Sequence, residues 1–156
     1  MKWIAALVLM VVAGTACAGD EKLAVPANAK WKEECTSCHV AYPPQLLNKE
    51  GWGKLMAGLD KHFGVDASLD AREQGEILDF LQSHAGNGAR YASSNLRISN
   101  TPWFRHAHRE VSRSTWERPE VKSRSNCTAC HVNAERGNWS EHGIRVPGGY
   151  EDDDDD

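Results

Sequence analysis

With 156 residues, 40% of them hydrophobic and 26% charged, and a net charge of −4, the chain has apolar material for one compact unit or two small ones. That balance excludes an integral membrane bundle and lacks the basic surplus that nucleic-acid binding needs. The charge is also uneven: residues 19–88 carry seven Lys/Arg against eleven Asp/Glu, residues 89–150 ten against five, and Glu151–Asp156 is wholly acidic. The breaker triplet Gly86-Asn87-Gly88 coincides with the reversal, which predicts an N-terminal domain over 19–88 and a C-terminal one over 89–150. The segment 151–156 reads as a solvated, disordered tail, with screening of the basic half or contact with a cationic partner as the alternative.

In chain order, Lys2, the apolar run Ile4–Ala13 and the small residues around Cys17 predict an export signal over 1–18, cleaved after Ala18. The run falls short of the roughly 20 residues a membrane span needs, so a retained anchor is the weaker reading. An acylated Cys17 would want a large aliphatic residue three places upstream, where Gly14 stands.

Pro26 to His39 then reads as a helix leading into Cys35-Thr36-Ser37-Cys38-His39, with Trp31 one turn before the first thiol. A second pentad, Cys127-Thr128-Ala129-Cys130-His131, lies 92 residues further on. The pattern C-x-x-C-H sets two thiols where they add to the vinyl groups of one haem, and the next residue offers an imidazole to the iron. Two pentads predict two covalent haems, attached through Cys35 and Cys38 and through Cys127 and Cys130. A zinc site would need a second nearby pair of ligands, and a redox dithiol has no use for the trailing histidine. The four pentad cysteines leave none for a disulfide, so the haems are expected to supply core as well as chemistry.

After Pro43-Pro44, apolar residues at Trp52, Leu55, Met56, Leu59 and Phe63 follow helical spacing and place His62 on the same face. Asp70 and Glu73 form a plausible capping pair for a helix with the stripe Ile77, Leu78 and Leu81, ended by Gly86. Candidates for the sixth ligand of the first iron are His62, His84 and Met56. His62 is favoured because Phe63-Gly64 would end the helix just past it, whereas His84 sits at a fraying end and a buried Met is usually filler.

In the second half, Thr101 predicts the cap of a helix opening on Pro102. Phe104, Ala107, His108 and Val111 would share one face, with His106 turned about 200° from His108. The apolar company selects His108 for the second iron, while His142, in Gly/Pro-rich sequence, reads as a surface histidine.

These runs, namely the first pentad with Ala41-Tyr42-Pro43-Pro44, then His62-Phe63-Gly64-Val65-Asp66-Ala67-Ser68-Leu69, Pro102-Trp103-Phe104, His108-Arg109-Glu110 and Asn126 to His131, resemble the small dihaem cytochromes c of Gram-negative bacteria. The resemblance implies a mainly α protein of two small haem domains, the N-terminal one similar to class I cytochrome c and the C-terminal one irregular with short helices. It also implies a periplasmic electron carrier with bis-histidine haems, served by redox partners such as a membrane cytochrome b and a small oxygen-binding c-type cytochrome. Both lines of reading point to His39 and His62 on one iron and His131 and His108 on the other. The rival reading is a small dihaem enzyme, a peroxidase or nitrogen-oxide reductase, or a haem gas sensor with one labile distal ligand.

Overall fold

The computed structural model describes Leu23 and residues 25–149, so the expected export signal and the acidic tail lie outside the described residues. The molecule is mainly helical. Among the described residues five α-helices are joined by short 3-10 turns, and pairing between extended segments amounts to the isolated bridges Asn48–Gly86, His62–Val65 and His131–Ile144.

Helix α1, Ala29–Cys35, is shorter than the expected Pro26–His39. It starts where the Asn28 side chain accepts from the Trp31 N–H at 2.9 Å, and its last turn closes when the Thr36 N–H donates to Lys32. Helix α2, Lys49–Met56, is capped by Asn48 and buries Trp52 and Met56. It stops well before the expected face would have reached His62. Beyond Ala57 the chain turns at Gly58 into a 3-10 turn over Leu59–Lys61, and the Leu59 carbonyl accepts from His62, which closes that turn, and from Ala67 after the chain reverses. Phe63, read as part of that apolar face, is 47% exposed and has a left-handed φ of 49°. A chain reversal therefore places His62, not a helical stripe.

Helix α3, Ala71–Ser83, follows the expected pattern at its start, where Asp70 accepts from the Arg72 and Glu73 N–H groups, and on its face, where Ile77 and Leu81 are buried. It packs on α2 and α1. Trp31 meets Phe80 at 5.3 Å, Lys30 pairs with Glu73, and the Gln74 amide donates to the Met56 carbonyl. Trp31, Leu47, Trp52, Met56, Leu59, Ile77 and Leu81 make one core, into which the Trp52 indole brings its N–H by donating to Pro44 at 2.7 Å.

The segment after α3 returns to the first half. The Gly86 N–H donates to Leu47 and the Asn48 N–H to Tyr91, both at 3.0 Å. A Cβ on Gly86 would lie 2.2 Å from the Gln45 carbonyl oxygen, so only glycine admits this approach. Tyr91 then faces Trp103 of α4, Pro102–Ala107, which Thr101 caps by accepting from the Phe104 N–H. This helix is also shorter than its apolar spacing predicts. It ends at Ala107, which is exposed, and His108 is its C-cap. Helix α5, Arg113–Glu117, follows with Ser112 as its cap.

Candidate metal centres

Each pentad is presented by a helical end. Cys35 closes α1, and Thr36 to His39 form the turn that follows it. The second pentad begins in a 3-10 turn over Cys127–Ala129, anchored by the Asn126 side chain, whose amide donates to the Val121 carbonyl at 3.0 Å. Its far end is tied when the Arg145 N–H donates to the Cys130 carbonyl at 2.9 Å.

The fold sets one further histidine opposite each pentad histidine. The rings of His39 and His62 have centroids 6.2 Å apart, and those of His108 and His131 are 6.1 Å apart. A metal–imidazole bond of about 2 Å plus roughly 1 Å from nitrogen to ring centroid, taken on both sides, separates two imidazoles on one metal by about 6 Å. Face-to-face stacking would be shorter, as it is between Phe104 and His108 at 4.0 Å. The gaps fit one metal ion each. Among the described residues no three or more His, Cys, Asp or Glu side chains converge as a cage, which is the arrangement a closed zinc site requires.

Burial pushes the His62 ring below the ordinary histidine range, with His39 adding to the effect. It does the same to His108, where Arg124 adds and the bond to Phe104 opposes, and to His131, helped by His108. All three rings are therefore neutral at neutral pH, the form that ligates a metal. The thiols move the other way: burial pushes Cys35 and Cys127 up to about 11. Cysteines that stay protonated at neutral pH do not make a reactive dithiol.

A family model described as dihaem cytochrome c matches residues 31–139, a span that contains both pentads and both ring pairs. The chain belongs to the dihaem cytochrome c family. It is 43% identical to the DHC purified from Rhodobacter sphaeroides, with a TM-score of 0.64 over 74% of this chain and 99% of that one. A second structure of the diheme cytochrome c from Rhodobacter sphaeroides is 42% identical, with a TM-score of 0.65 over 74% and 98%. The diheme cytochrome type c from Shewanella baltica OS155 is 36% identical, with a TM-score of 0.68 over 80% and 96%. No curated protein sequence matches the chain.

As a dihaem cytochrome c, the protein holds two covalently bound haems c and has a haem-based electron-carrier role. The two attachment sequences face one another across a cavity of about 760 Å³ lined by Cys38, His39, Tyr42, Cys127, Thr128 and Glu135 among others. That is within the roughly 300–1,000 Å³ of cofactor sites. Tyr42 crosses between the halves: its ring stacks on His39 at 4.7 Å, and its hydroxyl donates to the Ser125 carbonyl at 2.7 Å. Burial pushes this phenol up to about 12, so it remains a donor.

The other candidate residues of this cytochrome lie elsewhere. His84 is the exposed C-cap of α3 with its ring against Phe80. Met56 is buried in the core, His106 is exposed on α4, and His142 is exposed in a 3-10 turn over Glu141–Gly143. Sequence reasoning gave no site role to Tyr42, Trp116 or Trp139, which the fold brings against the paired histidines. Their only sequence signal is closeness to a pentad, for Tyr42 and Trp139, and aromatic character.

Proposed function

We propose that this protein is a periplasmic one-electron carrier in which both irons are six-coordinate and bis-histidine, with His39 and His62 on the first and His131 and His108 on the second. The observation that carries the reading is the pair of ring separations, 6.2 and 6.1 Å, each joining a pentad histidine to one histidine from a distant turn. When bound, a haem iron supplies a reversible one-electron change between ferric and ferrous states. The chain does the rest. Cys35, Cys38, Cys127 and Cys130 anchor the groups, so they are not lost as the charge changes. His39 and His62 would hold the first iron and His131 and His108 the second, which would leave no metal site for a substrate and separates this reading from a peroxidase, a nitrogen-oxide reductase or a gas sensor. Phe104, Trp116 and Trp139 pack around the second pair and Tyr42 stacks on His39.

The export signal expected over 1–18 supports the periplasm, and among the described residues no helix is long and apolar enough to cross a membrane. The halves 19–88 and 89–150 are read as one haem lobe each. The partners are redox proteins that exchange one electron at a time, a membrane cytochrome b and a small oxygen-binding c-type cytochrome among them.

Optical and paramagnetic spectra of the holoprotein test the ligation. The ferric protein is expected to be low-spin at both haems, without a methionine-to-iron charge-transfer band, and the ferrous protein to bind no carbon monoxide. Rapid carbon monoxide binding at one haem would favour the enzyme or sensor reading instead.

A further inference from the structure

The two histidine pairs share a spacing but not an orientation. The ring planes of His39 and His62 lie 26° apart, and those of His108 and His131 lie 68° apart. Every one of the four rings touches an aromatic neighbour, and His39 and His108 are hydrogen-bonded as well. His39 is held by a 2.8 Å bond between its Nδ1 and the Val40 carbonyl and by the face of Tyr42, 19° from its own plane. His62 meets the edge of Phe63 at 4.9 Å. His108 is held by a 3.0 Å bond between its Nδ1 and the Phe104 carbonyl and by the face of the Phe104 ring at 4.0 Å, with Trp116 on its flank at 5.8 Å. His131 leans on Trp139 at 5.6 Å.

Orientation matters because an imidazole donates π density along the normal to its plane. Two near-parallel rings push on the same iron d orbital and lift it away from its partner. Two crossed rings push on different orbitals, which stay close in energy. Ferric low-spin iron has one vacancy in this set, so aligned donors both stabilise it, whereas only one of two crossed donors reaches it. Ferrous iron has no vacancy and gains from neither. Crossed rings therefore shift the balance towards the ferrous state. Each pair has an arginine one ring removed, Arg97 over Phe63 at 4.4 Å and Arg124 over Trp116 at 5.2 Å, and the basic second half acts in the same direction as the crossed rings, so the positioning variants and not the order of reduction isolate orientation.

We propose that the fold makes the two haems inequivalent through ring orientation, with Phe104 and Trp139 as positioning residues that keep His108 and His131 crossed, so that the second haem is reduced first. The inference rests on the bis-histidine reading above.

The test is a reductive titration of the holoprotein followed by electron paramagnetic resonance. The ferric protein is expected to give one rhombic low-spin signal, from the near-parallel pair, and one strongly anisotropic signal with a single large g value, from the crossed pair. The anisotropic signal is expected to disappear first. His108→Ala assigns the signals, because it should remove the anisotropic one and spare the rhombic one. Phe104→Leu should move the anisotropic signal towards rhombic and leave the other unchanged, and Trp139→Leu reads the same effect from the other side of the iron if the first variant does not retain haem. Two rhombic signals, loss of the rhombic signal first, or positioning variants with the wild-type spectrum would each overturn the inference. A high-spin signal in the ferric wild-type protein would overturn the bis-histidine reading instead.

Discussion

Single residues decide the ligation, and each assignment has a neighbour that serves as its control. His62→Ala is expected to turn one haem high-spin and able to bind carbon monoxide, while His84→Ala leaves both haems low-spin, because the His84 ring rests on Phe80 and bonds back to its carbonyl. The same comparison applies in the second half, where His108→Ala should open one haem and His106→Ala should not, since His106 is exposed on α4. Low-spin spectra in His62→Ala together with a high-spin haem in His84→Ala would reverse the first assignment. The pentad histidines are singled out by local sequence alone. That of their opposite numbers was argued from helical faces that the chain does not form: α2 ends at Met56 and α4 at Ala107. The apolar neighbours nonetheless selected residues that the fold brings opposite the pentads, because whatever covers a buried face also lies near the ring beneath it.

At the level of elements, two joints carry checkable consequences. The Glu73 backbone N–H, with that of Arg72, holds the Asp70 carboxyl below the usual carboxylate range. A depressed pKa means that this contribution to stability is present above the carboxyl's unfolded value and is lost as pH falls through the folded one. Asp70→Ala should therefore lower the melting temperature at neutral pH and much less in strong acid, with unchanged haem spectra, as thermal melts at two pH values would show. Gly86→Ala should be worse at every pH, because its Cβ would lie 2.2 Å from a carbonyl oxygen and 2.4 Å from the Tyr91 ring. Overpacking of this kind costs roughly 1–3 kcal/mol, which denaturant titration resolves. Short helices are also marginal without a surface to pack on. Replacing Cys35 and Cys38 by Ser should leave the first half sensitive to protease, and a variant as resistant as the wild-type protein without its first haem would refute a haem-dependent core.

Across the whole molecule, the halves meet where the Tyr42 hydroxyl donates to the Ser125 carbonyl beside the cavity and where the Asn48 N–H donates to the Tyr91 carbonyl. Tyr42→Phe keeps the stack on His39 and removes only the hydroxyl. It should cost about 0.5–1.5 kcal/mol, the usual worth of one hydrogen bond, and raise amide exchange around residue 125 while both haems stay low-spin. With −4 on residues 19–88, +5 on 89–150 and −6 on 151–156, charge is distributed unevenly along the chain, so electron exchange with an oppositely charged redox partner should slow as salt screens it. Stopped-flow rates independent of ionic strength would remove charge from the account of docking.

The sequence by itself determined what is local: the two C-x-x-C-H pentads of a dihaem cytochrome c and the caps at Asp70 and Thr101, each of which needs only residues within a turn of one another. Only the tertiary structure decided which rings face which, because His62 reaches His39 through the reversal that bonds Leu59 to Ala67, and His108 reaches His131 from the end of a helix that stops early. The ring angles of 26° and 68° are further still from the sequence. They arise from Tyr42, Phe104 and Trp139 packing against imidazoles, and a torsion set by contacts between distant residues has no signature in spacing or composition.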